Sequence, residues 1–201
     1  MSVPRLKFLR RAELPLDTVA LARFLVGKFV IHDLPDGRVS GRIVETEAYP
    51  IGDPAAHSYR GETPRNGAMF LDRGHAYVYF VYGSSYMLNV SSEVRGVGGG
   101  VLLRALEPVE GIDLMRRRRA TDRLLDLTRG PGRLAEALGI DLRQNGLDLC
   151  APGPLRLATS TAANGRLGRS VRIGLTRAAD RVLRFYERGN AYVSGPKRLC
   201  A

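Results

Sequence analysis

Three features of the chain predict an α+β fold, a curved antiparallel sheet of hairpins with helices at its periphery. Strand-like segments pair across short turns, helical patterns are few and short, and there is no regular strand–helix alternation of the kind that builds a doubly wound sheet. A length of 201 residues suits one domain spanning 1–201.

Asp17 to Leu25 opens with a capping residue and sets Val19, Leu21, Ala22 and Leu25 at helical spacing, with Gly27 following as a stop. Lys28–His32 and Val39–Tyr49 then read as strands joined at Asp36-Gly37, a strong hairpin dipeptide. Residues 50–74 are rich in Gly, Pro, Arg and Asp without periodicity, which predicts a long loop of the functional kind. A second, aromatic hairpin follows: His75–Tyr82 and Tyr86–Ser92 flank Gly83-Ser84-Ser85. Gly100–Leu106 reads as a buried strand with Arg104 inside it. Pro108–Arg118 has acids first and bases last, the polarity of a helix, and Gly132–Leu138 is a second helix closed by Gly139. Leu155–Leu157, Val171–Leu175 and Leu183–Tyr186 are expected as late strands.

The net charge is +11, and lysine contributes only Lys7, Lys28 and Lys197 to the 31 basic side chains. Residues 1–100 hold 12 bases and 10 acids, whereas 101–201 hold 19 and 10, so the excess sits in the second half. A basic, arginine-rich body suits a partner made of phosphates, because each neutralised phosphate releases counterions. Cys150 and Cys200 alone make neither a four-cysteine zinc site nor a disulfide framework. The first residues lack the apolar core of a signal peptide, and no stretch approaches the ~20 apolar residues of a membrane span. These features predict a cytoplasmic protein without membrane contact.

Strand alternation in GRIVETEAY puts Ile43, Glu45, Glu47 and Tyr49 on one face and Arg42, Val44, Thr46 and Ala48 on the other. The two carboxylates suit a general base, a metal-binding pair that recruits Asp53, or an acidic surface balancing arginines. Six of the eight tyrosines fall between residues 49 and 86, with Tyr77 and Tyr79 on one face of their strand. Aromatic rings beside a carboxylate suit a flat base, and an aromatic strand also suits a plain core. Tyr82 stands at the mouth of a Gly-Ser-Ser turn, awkward for burial and well placed to wedge into a base stack. His57 lies in the long loop, His32 and His75 at strand edges, and no histidine pair has metal-ligand spacing. The glycine-rich stretch Gly96–Gly100 lacks the lysine of a phosphate-binding loop. No metal and no cofactor are expected.

Read in order, GRIVETEAY, AAHS, TPRN, MF, YVYFVYG, LNVSS, VLLRALEP and LRFYERG resemble the alkyladenine (3-methyladenine) DNA glycosylase family from about Pro15 to Ser194. The resemblance implies a monofunctional glycosylase that flips alkylated or deaminated purines from double-stranded DNA and hydrolyses the N-glycosidic bond, working as a monomer. Glu47 matches the catalytic acid and Arg104 the arginine that helps hold the attacking water, which leaves Glu45 structural. Tyr49, His57 and Tyr79 match the side chains that sandwich and hydrogen-bond the flipped base. Asn89 matches the asparagine that crowds normal guanine, and Tyr82 the residue that fills the vacated stack. Ser84 and Ser85 stand where better-known members carry bulkier residues, and one residue fewer separates Tyr49 from His57 than in the vertebrate form. Apart from catalysis, a nucleic-acid-binding module in which Glu47 merely pairs with Arg104 would use the same residues.

Overall fold

The computed structural model describes residues 5–161 and 165–200. The Asp17 carboxylate accepts from the Ala20 amide at 2.7 Å and starts helix α1, Thr18–Leu25, which buries Leu21, Ala22 and Leu25. Gly27, at φ +87°, turns the chain into strand β2, Phe29–Leu34. Strand β3, Gly37–Tyr49, returns antiparallel to β2 across Pro35-Asp36, one residue earlier than the Asp-Gly dipeptide suggests. The aromatic hairpin is β4, Ala76–Val81, and β5, Ser85–Ser91. Strand β6, Gly100–Glu110, lies between β5 and β3.

All described strands join one sheet in the order β1-β7-β2-β3-β6-β5-β4, where β1 is Lys7–Phe8 and β7 is Leu155–Thr159. Strand β3 is long enough to pair with β2 through its first half and with β9, Arg184–Glu187, through Glu45–Glu47; β8, Leu167–Ser170, pairs outside β9. Helices α2 (Ile112–Arg119), α3 (Leu124–Thr128) and α4 (Pro131–Ala137) pack together, and α4 covers β5 and β6. The main core joins Leu21 and Leu25 of α1 to Ile43, Val78, Leu88, Leu103, Leu106, Met115 and Leu134, all fully or almost fully buried. Each such side chain contributes about 1.5–3 kcal/mol by leaving water. The fold is α+β, as the hairpin pattern predicts. Among the described residues no helix is long and apolar enough to cross a membrane.

Four expectations need correction. Pro108–Glu110 continues β6 rather than starting a helix, because Gly41 and Ser40 of β3 still need partners there and take Pro108 and Glu110. The helix starts only after Gly111, at φ +73°, where a Cβ would stand 2.3 Å from the Arg38 carbonyl oxygen. Val171–Leu175 alternates like a strand but joins no ladder; Arg172 turns into the interior and the Ile173 amide is spent on a side chain. His32 is buried inside β2, with Nδ1 2.8 Å from the Leu138 carbonyl oxygen, not at an edge. The simple alternation along β3 also breaks: pairing with β6 skips Val44 on β3 and Arg104 on β6. Ile43 and Ala48 therefore face the main core and Thr46 donates to the Ala22 carbonyl, while Val44 joins Tyr186 and Val193 on the side of the two glutamates.

Candidate active site

The paired bulges bring Arg104 between two carboxylates. Its Nε donates to Glu45 Oε1 at 3.0 Å, and its Nη1 lies 3.3 Å from Glu47 Oε1. Glu45 also accepts from Arg184 Nε at 2.6 Å and from the Ser194 amide at 2.6 Å, and Glu45 and Arg184 have no exposed surface. Two guanidinium groups and an amide thus compensate one buried carboxylate, which would otherwise be costly. Glu45 ties β3, β6, β9 and the segment at Ser194 together.

Glu47 is also fully buried, and its partners differ in kind. Oε1 accepts from the Ile173 amide at 2.7 Å, and Oε2 accepts from the Tyr49 hydroxyl at 2.9 Å. Burial first, and then the Glu47 charge, push the Tyr49 hydroxyl far above the ordinary phenol range, so it stays a donor. Behind Tyr49 the Arg172 guanidinium lies 4.6 Å from the ring centroid.

Tyr49 also lines a cavity of about 160 Å³, shared with Ala55, His57, Met69, Tyr77, Tyr79, Val81, Tyr82, Asn89 and Leu175. Every substrate-binding residue predicted from the sequence, and Tyr82, reaches this space. Glu47 and Arg104 do not line it; they stand behind Tyr49. His57 and Tyr79 meet edge to face, 4.5 Å between centroids. His57 Nδ1 is 2.8 Å from the Tyr77 hydroxyl, and the Asn89 amide donates to the Tyr77 carbonyl at 3.1 Å. The packed side of His57, with the Arg65 charge second, holds its pKa below the usual imidazole value. Burial, followed by neighbouring Tyr82 and Glu47, pushes the Tyr79 phenol up to about 12.

Tyr82 differs from the rest. It is 82% exposed at the tip of the hairpin, at φ +56°, a left-handed conformation that a bulky residue adopts at a cost.

Sequence reasoning missed Tyr77 as a cavity wall and the buried pair Arg172–Asp53, whose closest approach is 2.5 Å. Tyr77 shares a strand face with Tyr79, so period-2 spacing held that signal; nothing local marks Arg172, 119 residues from Asp53 in the chain. The carboxylates weighed as metal ligands are already matched by arginines, Glu45 by Arg104 and Arg184, and Asp53 by Arg172 and Arg181.

Fold and site define a class: an α+β enzyme with an aromatic-walled cavity set against a buried carboxylate–guanidinium network. The family model of the methylpurine-DNA glycosylases matches residues 12–191. The chain is 64% identical over 189 residues to a protein of Mesorhizobium japonicum named "Putative 3-methyladenine DNA glycosylase", covering 94% of this chain and 91% of that one. Proteins of the same name from Paraburkholderia phytofirmans and Methanoculleus marisnigri are 53% and 48% identical, covering 95% and 89% of this chain and 90% and 94% of theirs. The chain belongs to the methylpurine-DNA glycosylase family, and is thereby a DNA-repair enzyme acting on N-glycosyl bonds.

Proposed function

We propose that the chain is a monofunctional DNA glycosylase that extrudes alkylated or deaminated purines from duplex DNA and hydrolyses the N-glycosidic bond, leaving an abasic site. It acts as a monomer and without a cofactor. The observation that carries this reading is the cavity walled by Tyr49, His57 and Tyr79 with Glu47 hydrogen-bonded directly behind Tyr49.

A purine inside the duplex is out of reach, so it must leave the stack, at a cost of a few kcal/mol that is smallest for weakened pairs. Tyr82, exposed and projecting from its hairpin, fills the gap and offsets part of that cost. The extruded base enters among the aromatic rings, where a cationic alkylated purine is favoured by contacts worth about 1 kcal/mol or more each. Asn89, anchored by Tyr77, narrows the floor against the amino group of guanine. Glu47 takes a proton from water as the oxygen bonds to C1′; the bond to the base breaks and its electron pair leaves with the base. The Glu47 charge also faces the developing oxocarbenium ion, and Arg104 keeps the carboxylate in place. A lyase would need an amine in the site, and Lys28, the lysine best placed inside the fold, is spent on Thr159 and the Phe24 ring.

One observation favours a binding-only reading. Glu47 has no exposed surface and both its oxygens are hydrogen-bonded. Hydrolysis requires the Tyr49 hydroxyl to yield Oε2 to water as the base enters. Free-base release from duplexes with one hypoxanthine or methylated purine, in EDTA, separates the two. Turnover by the native chain and loss in Glu47→Gln with binding retained is expected; binding of all lesions without release would leave the module reading.

A further inference from the structure

Besides Arg104, two donors orient Glu47, and both adjoin one side chain that no part of the reaction scheme uses. The Ile173 amide holds Oε1 and the Tyr49 hydroxyl holds Oε2. Arg172 precedes Ile173 in the chain and lies over the Tyr49 ring. Its guanidinium is fully buried and forked: Nη1 donates to Asp53 Oδ2 at 2.5 Å and to the Ala48 carbonyl at 3.0 Å, and Nη2 to Asp53 Oδ1 at 3.1 Å and the Ala178 carbonyl at 3.3 Å. Ala48 lies between Glu47 and Tyr49, so the same group grips the backbone of the base's own strand. Asp53 is fully buried and caps the Ala55 amide at 2.9 Å; Ala55 and Leu175, on the two segments that the ion pair joins, both line the cavity.

We infer that Arg172, fixed by Asp53, is a positioning residue for hydrolysis: it aims the Ile173 amide and the Tyr49 hydroxyl at Glu47, and so sets the orientation of the base. A carboxylate buried in this way has two settings available, one held by Tyr49 and one that turns Oε2 to water. The alignment of both depends on donors that do not drift. Lysine in place of Arg172 retains the charge opposite Asp53, but it cannot fork to two carbonyls and a carboxylate while lying over a ring. Its loss of function therefore lies in orientation, which acts on the chemical step and not on capture of the lesion.

This role rests on Glu47 acting as the base, and the experiment separates the two. Single-turnover release of 7-methylguanine from a duplex is followed at increasing enzyme for the native chain, Glu47→Gln, Arg172→Lys, Asp53→Asn and Arg181→Gln, with the thermal midpoint of each. Arg172→Lys is expected to lose on the order of tenfold to a hundredfold in the saturated rate, with half-saturation and midpoint close to native. Asp53→Asn is expected to lose rate alike but also to lower the midpoint, because it leaves a buried guanidinium without its counter-charge. Arg181 also pairs with Asp53, at 3.3 Å, but from an exposed side chain, so its variant is expected to keep the native rate within about twofold. A native rate in Arg172→Lys, with release lost in Glu47→Gln, would overturn the role of Arg172 and leave Glu47 standing. A rate loss in Arg172→Lys that only tracks weaker binding or a lower midpoint, or failure of both pair variants to fold, would make the pair a purely structural contact. Release retained in Glu47→Gln would remove the base and the positioning role together.

Discussion

Glu47 and Tyr82 serve one proposed reaction from opposite extremes of the molecule's order. Glu47 has no exposed surface and hydrogen bonds at both oxygens; Tyr82 is 82% exposed, strained in its backbone, and joined to the fold mainly by its hairpin. The contrast separates two demands. A base must be held where the water will be, so its surroundings are over-determined. A wedge must enter a stack that belongs to another molecule, so any contact made at home would have to be broken first. Burial and hydrogen bonds are concentrated around the carboxylates and sparse at the turn.

The sharpest way to break that contrast is at Glu47 itself. Glu47→Gln preserves shape and the bond from the Ile173 amide, while its own NH2 must donate where Glu47 accepts from Tyr49; it cannot take a proton, and base release is expected to fall about 10²–10⁴-fold with folding retained. A fall of the folding midpoint in step with activity would mean that Glu47, like Glu45, is only a structural carboxylate. Glu45 supplies the counterpart. Glu45→Ala leaves Arg184 and Arg104 without their buried acceptor, and a loss of about 3–5 kcal/mol in chemical denaturation is expected. A loss near zero would show that the arginines find other partners and that the network is not the clamp it looks like.

At the turn the expected signs are reversed. Asn adopts left-handed backbone readily and is favoured before glycine in tight hairpin turns, so Tyr82→Asn is expected to raise stability by about 1 kcal/mol. The same variant should release base more slowly from duplex DNA and at the native rate from single strands, where no stack needs filling. Equal losses on both substrates would assign Tyr82 to the cavity wall and not to the wedge.

The two regions were unequally legible in the sequence. Tyr82 stands beside Gly83 in a hairpin that local patterning gives directly; period-2 spacing put Tyr79 on one face with Tyr77, and the family resemblance assigned it to the base. The α+β architecture was equally local, since capping at Asp17 and the paired hairpins sit within a few residues of their causes. The carboxylate network was not. Strand alternation put Ile43 with the glutamates, and only the paired bulges at Val44 and Arg104, a property of two strands in register, move it to the core and turn Arg104 toward both acids. Arg172 was invisible for the same reason: its partner lies across the fold, and Val171–Leu175 looks like a strand until Arg172 is seen turned inward and the Ile173 amide spent on Glu47. Residue types and spacing report what is local; long-range pairing decides which partners each of the two acids receives.

The smallest expected effect lies between the extremes, at His57, which is packed on one side and open to solvent on the other. Nδ1 is engaged with the Tyr77 hydroxyl at 2.8 Å, which leaves Nε2 as the ring nitrogen for a ligand in the cavity. Desolvation of the packed side and the charge of Arg65 both disfavour imidazolium and hold the pKa below 6.5. Between that lowered value and 6.5 the unfolded chain binds more protons than the folded one. The neutral ring's contribution to stability is therefore complete above 6.5 and is lost as the pH falls through this window. Arg65→Gln removes one of the two causes, so the pKa of His57 should rise toward 6.5 without reaching it, and the window should narrow. Because Arg65 is exposed, the rise should shrink as salt is added to the native and variant samples alike. Titration of the His57 ring protons by NMR measures both. A pKa that stays put in the variant would leave packing as the whole cause, and His57 would then belong with the buried, over-determined side of the site.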